Sequence, residues 1–193
     1  MTYPIVQLKP QYGVNYRAGD VMFSYRLDNP LSLAITAFEN CGLGAIKPSH
    51  VRLITSDLYA MGAEEKGIST TDLRKSFEDP HELLIIKRPI GLTECEAKRV
   101  IDAGREHFGE SYDYGLIAGM AFESFAVALD ITRSKSKPAF FNDSRAWDCS
   151  EFVSHCLKAI PRLAALEPLA GMHESRIAPM DLLSSEDLWE VSI

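Results

Sequence analysis

The chain changes character at Pro89, and that change limits what it can fold into. Before it, short apolar runs read as strands; after it, apolar residues recur at helical spacing. Val21-Met22-Phe23-Ser24-Tyr25 follows a Gly19-Asp20 turn and reads as the first strand. Val51–Thr55 and Leu58–Ala63 read as two more, joined around Ser56-Asp57 like a hairpin. Leu83–Arg88 is a continuous apolar run, expected to be central to the sheet. Leu31–Asn40 reads as a short helix ended by Cys41-Gly42-Leu43-Gly44, where glycine supplies the left-handed conformation cheaply. Thr70-Thr71-Asp72-Leu73 reads as a short turn or helix. Beyond Pro89, Thr93-Glu94-Cys95-Glu96 is a capping box that opens a helix to about Phe108, with Ala97, Val100, Ile101 and Gly104 spaced to pack inward. The stretch Tyr112–Ile131 is the most apolar. Its length approaches a membrane span of roughly 20 residues, but Asp113 and Asp130 mark its ends and Glu123 interrupts it. The preferred reading is a buried or groove-lining helix, so that residues 93–131 form a helical segment along a substrate cleft. The 193 residues suggest one domain, 1–193, with ample length for a core.

A second helix start carries chemistry. In Trp147-Asp148-Cys149-Ser150-Glu151-Phe152-Val153, Asp148 is a preferred N-cap residue and Glu151 completes a capping-box pattern. Phe152, Val153, Cys156, Leu157 and Ile160 follow at helical spacing and form a core-facing stripe. A thiol in the first turn of a helix feels its positive end, which favours thiolate and prepares nucleophilic attack. The bland alternative is a small buried hydrophobe. Trp147 either walls a cleft or fills the core.

A nucleophile needs a base. Of His50, His81, His107, His155 and His173, only His50 sits at a strand's mouth, where a side chain can reach toward a helix end. His81 falls in a turn and His107 on a charged helix face. His155 lies at i+6 from Cys149 and points elsewhere, and His173 is in a loop. Surface or structural roles are the default for all of these.

Taken together, Arg17-Ala18-Gly19-Asp20-Val21-Met22-Phe23, Ser49-His50-Val51-Arg52-Leu53-Ile54, Gly109-Glu110-Ser111-Tyr112-Asp113-Tyr114, Trp147–Val153 and Ile177-Ala178-Pro179-Met180-Asp181-Leu182-Leu183 resemble the permuted papain-like (YiiX-type) branch of the NlpC cysteine-hydrolase superfamily. The resemblance spans residues 17–185. It implies an α+β papain-like fold, circularly permuted, with an antiparallel sheet packed against helices. It also implies Cys149 as nucleophile and His50 as base, with no metal and no organic cofactor. Where the family often carries an orienting glutamate, this chain has Gly62 in Met61-Gly62-Ala63-Glu64. Glu64 shares a strand face with residue 62 and is the candidate substitute. A papain-like site also calls for oxyanion donors, for which the Cys149 amide is the natural choice.

Composition narrows the partners. A formal net charge of −7 argues against a general nucleic-acid binder, and the basic run 132–137 reads as a solvated loop. Cys41, Cys95, Cys149 and Cys156 have neither zinc-ligand nor tight disulfide spacing, so a structural zinc site is not expected. The first ten residues lack the basic start and apolar core of an export signal, and a cytoplasmic location is the default. The expected activity is a thiol-dependent hydrolase or acyltransferase acting on a peptide, isopeptide or lipid ester. The rival is a catalytically weak or inactive papain-like binding or structural protein, and membrane contact is the least favoured alternative.

Overall fold

The computed structural model describes residues 10–26, 48–64, 66–112 and 146–190. Within them the chain is α+β. Five strands, β1 (Val21–Arg26), β2 (His50–Ile54), β3 (Tyr59–Glu64), β4 (Gly67–Asp72) and β5 (Glu82–Lys87), form an antiparallel sheet in the order β4-β3-β2-β1-β5. Helix α1 (Leu73–Glu78) links β4 to β5, and α2 (Glu94–Arg105) follows the sheet. Two short strands, β6 (Ser111–Tyr112) and β7 (Ala146–Trp147), pair in parallel. Helix α3 (Cys149–Lys158), α4 (Pro161–Ala164), a 3₁₀ turn (Glu174–Arg176) and α5 (Pro179–Leu183) complete the described chain.

Strand alternation divides the sheet into two apolar faces. Val21, Phe23, Val51, Leu53, Met61 and Ala63 form one cluster with Ala97, Val100 and Ile101 of α2 and Phe152, Val153, Cys156 and Leu157 of α3. Met22, Ile54 and Ala60 turn the other way and pack with Tyr16 and Leu73. Each buried aliphatic or aromatic side chain removes apolar area worth roughly 1.5–3 kcal/mol, so both faces gain from being covered. Tyr16 anchors the second face, its hydroxyl donating to the Asp57 carbonyl at 2.7 Å.

The Gly19-Asp20 turn locks β1 to β2. Gly19 N–H donates to the Ile54 carbonyl and Ile54 N–H donates to the Asp20 carbonyl, both at 2.8 Å. Gly19 has φ +90°, and a Cβ there would lie 2.7 Å from both Ala97 Cβ and Leu92 Cδ2. Only glycine satisfies the left-handed backbone and the close approach of α2 together.

Several expectations change on contact with the structure. Leu83–Arg88 is not central: β5 pairs with β1 alone among the described strands and lies at the sheet's edge. Leu83 and Ile85 are 44% and 39% exposed, while Leu84 and Ile86 pack on the second cluster. An unbroken apolar run does not by itself distinguish an edge with one covered face from a strand buried on both. Thr70–Leu73, read as a short turn or helix, is a strand–helix junction: Thr70, Thr71 and Asp72 end β4, and Leu73 opens α1, capped by Asp72 accepting from Arg74 N–H. The hairpin around Ser56-Asp57 forms, with its strands shifted by one residue to His50–Ile54 and Tyr59–Glu64. The Thr93 capping box forms with Glu96, and α2 ends at Arg105. Helical structure does not continue unbroken through 93–131, because Ser111–Tyr112 is a strand. The expected helices over Leu31–Asn40 and beyond Tyr112 lie outside the described residues.

Candidate active site

Cys149 is the first residue of α3, as its sequence context implies. The Asp148 carboxylate accepts from the Ser150 and Glu151 amides and from the Ser150 hydroxyl, each at 2.8 Å. These bonds fix where the helix begins and therefore where the sulfur stands. Helix α3 packs on β2 and β3, and Cys149 belongs to the apolar cluster that contains Val51, the neighbour of His50. Cys149 is 4% exposed. The helix end also carries the buried carboxylates of Asp148 and Glu151. Their negative charge opposes the pull of the helix dipole on a thiolate.

His50 opens β2 after a bend at Ser49. The β2–β3 register pairs Leu53 with Met61 and Ile54 with Ala60, and continuing it brings His50 opposite Glu64. Their side chains meet, with His50 Nε2 3.3 Å from Glu64 Oε1. Glu64 also accepts from Arg52 Nε at 2.6 Å, from Arg52 Nη2 at 3.3 Å and from the Thr71 hydroxyl at 3.2 Å. Arg52 in turn reaches Glu82 at 3.2 Å. Burial works to raise the Glu64 carboxyl, but His50 and Arg52 outweigh it and hold that group well below the usual carboxylate range. Glu64 is therefore an anion at neutral pH, and Nε2 is the imidazole nitrogen it engages.

Gly62 lies beside this arrangement. A Cβ at that position would lie 3.2 Å from Arg52 Cγ and 3.5 Å from Glu64 Oε1. The Glu64 carboxylate thus folds back beside the space that a longer residue at 62 would fill. Strict alternation along β2 turns Val51 and Leu53 toward α3, and His50, Arg52 and Ile54 toward the other face. His50 therefore leaves its strand on the face opposite the one that α3 covers.

The remaining candidates separate cleanly. Cys156 is fully buried, and burial pushes its thiol far above the ordinary range, so it is an inert core residue. Cys95 is exposed near the start of α2, and Cys41 lies outside the described residues. His173 caps the 3₁₀ turn, and the His81 amide donates to Asp79. Sequence reasoning assigned His107 and His155 to unrelated settings, yet their Nε2 atoms lie 3.2 Å apart. Nothing in the spacing of two residues so distant in the chain signals that meeting. Trp147 stands beside both rings. Among the described residues, no helix is long and apolar enough to cross a membrane.

No protein-family model matches this chain, and no curated protein matches it either.

Proposed function

We propose that this chain is a thiol-dependent hydrolase or acyltransferase of the permuted papain-like kind, with Cys149 as nucleophile, His50 as base and Glu64 as orienting anion. The observation that carries this reading is the His50–Glu64 pair across β2 and β3, the two strands whose other face carries the helix that Cys149 opens. With Nε2–H donating to Glu64, Nδ1 is the basic nitrogen. It takes the Cys149 proton, and the thiolate attacks an amide or ester carbonyl. The imidazolium then returns the proton to the leaving amine or alcohol, and water or a second acceptor releases the acyl group. Because Asp148 and Glu151 oppose thiolate formation, the cationic imidazole supplies the charge that the helix end alone does not. A peptide, isopeptide or lipid ester would suit this chemistry.

A second reading is favoured by two distances and a burial. Arg52 holds Glu64 at 2.6 Å, closer than His50 does at 3.3 Å, and Cys149 is 4% exposed. On that reading the cluster is a structural ion-pair network in a binding protein. A thiol-directed electrophile, such as an iodoacetamide or peptidyl epoxide probe, separates the two. Selective labelling of Cys149 that collapses in His50→Ala supports catalysis. Labelling confined to exposed Cys95, or unaffected by His50→Ala, sinks it.

A further inference from the structure

We propose that His107 and His155 form a binding site for a divalent transition-metal ion such as Zn²⁺ or Ni²⁺. Their Nε2 atoms lie 3.2 Å apart. Two imidazoles bound to one ion at about 2.0–2.1 Å would hold those atoms about 3.3 Å apart at a tetrahedral angle. The ring planes cross at 86°, so the imidazoles approach edge to face without stacking.

A carboxylate stands behind each ring. His107 Nδ1 faces Glu110 Oε2 at 3.1 Å, and His155 Nδ1 faces Glu174 Oε2 at 3.6 Å. The Glu110 contact favours a proton on His107 Nδ1 and so leaves the His107 Nε2 lone pair facing His155, while Glu174 stands at ion-pair distance behind the second ring. Two ring nitrogens at that separation require an electrophile between them. A single proton can serve, and so can a metal ion, which on binding displaces that proton to solvent. Carboxylate-backed histidines are the usual second layer of protein metal sites, where they fix ring orientation and raise ligand basicity.

The surroundings favour a cation. Lys158 pairs with Glu174 at 3.3 Å, but Glu106 and Glu151 add negative charge near His155, and Trp147 Nε1–H is bound to Glu110. The His107 and His155 side chains are 21% and 36% exposed, so an ion can enter from solvent. No group of three or more His, Cys, Asp or Glu side chains is arranged around a metal among the described residues. The described residues thus supply two ligands, and water or another donor completes the shell. Such an ion would staple the turn after α2 to α3.

The site shares α3 with Cys149 but uses none of the residues assigned to the thiol chemistry as a ligand, so its metal binding can be read without activity. Trp147 is a built-in reporter, its ring centroid 4.6 Å from that of His107 and 5.1 Å from that of His155. Ni²⁺ titrated into the full chain is expected to quench Trp147 fluorescence saturably. Zn²⁺ should compete for the same site and raise the thermal midpoint. His107→Gln and His155→Gln should each weaken Ni²⁺ binding roughly tenfold or more, and Cys149→Ser should leave it unchanged. Calorimetry on Trp147→Phe should still register binding. The folded state of each variant is checked by circular dichroism, and either histidine variant that folds is sufficient. Absence of saturable Ni²⁺ or Zn²⁺ binding at neutral pH overturns the proposal. So does unaltered affinity in a folded histidine variant, or loss of binding in Cys149→Ser.

Discussion

Glu64 Oε1 lies 3.3 Å from His50 Nε2 across the β2–β3 pair, and Arg52 grips the same oxygen at 2.6 Å. The carboxylate therefore has two employers, a guanidinium that fixes it and an imidazole that it fixes. Replacing it with an amide of similar shape separates these roles. Glu64→Gln should lower the rate of Cys149 labelling by roughly 10- to 100-fold, the usual effect of losing an orienting partner. Rates measured across pH test it. An unchanged profile would assign Glu64 to Arg52 alone.

The same residue predicts a pH dependence of stability. Its folded-state carboxyl lies below the ordinary value of 4.5 because His50 and Arg52 outweigh the effect of burial. A depressed carboxyl contributes stability that is complete above the unfolded value and drains away as pH falls toward the folded one. Urea midpoints of wild type and Glu64→Gln should therefore differ most at pH 7 and converge below about pH 4. A gap that is constant across that range would contradict the coupling.

Asp148 should matter for stability more than an exposed cap does. It is buried and accepts from two amides and a hydroxyl. Asp148→Ala should cost about 1–2 kcal/mol in urea unfolding. Asp148→Asn, which keeps an acceptor, should cost less.

Gly104 lies where α2 packs against α3 and β3. A Cβ there would lie 2.5 Å from Met61 Cε and 3.0 Å from both Cys156 Sγ and Phe152 Cζ. Alanine gains up to about 1 kcal/mol in helix propensity, whereas overpacking a filled core costs about 1–3 kcal/mol. The clash should win. Gly104→Ala is expected to unfold at lower temperature than wild type by calorimetry.

Cysteine reactivity gives a further check. Cys156 is completely buried, with its thiol pushed far upward. Mass spectrometry after brief native alkylation should find it unmodified, while Cys95, on the surface, is modified. Denaturation should expose both equally.

The local signals in the sequence were the legible ones. Thr93 and Asp148 each announce a helix start through a polar side chain within three residues of the amides it serves, and both helices begin there. The Ser56-Asp57 turn was equally plain. The place of β5 was not, since alternation and apolar content describe a strand without its neighbours. β4 was hidden because Ser69, Thr70 and Thr71 carry no apolar pattern; the ladder with β3 holds that strand in place. At the site, Cys149 and His50 stood out through their settings, and Glu64 through its strand parity. The His107–His155 contact depends on α2 and α3 crossing, a long-range fact that neither segment encodes alone.

Gly62 has a consequence of its own. A side chain there would press first on the Arg52 stem and only touch the Glu64 carboxylate, so the bare position leaves the guanidinium free to hold that acid. What an imidazole senses is where negative charge hangs in space, whichever Cα carries it. Filling the bare position with a carboxylate of its own would put two anions before one imidazole and one guanidinium.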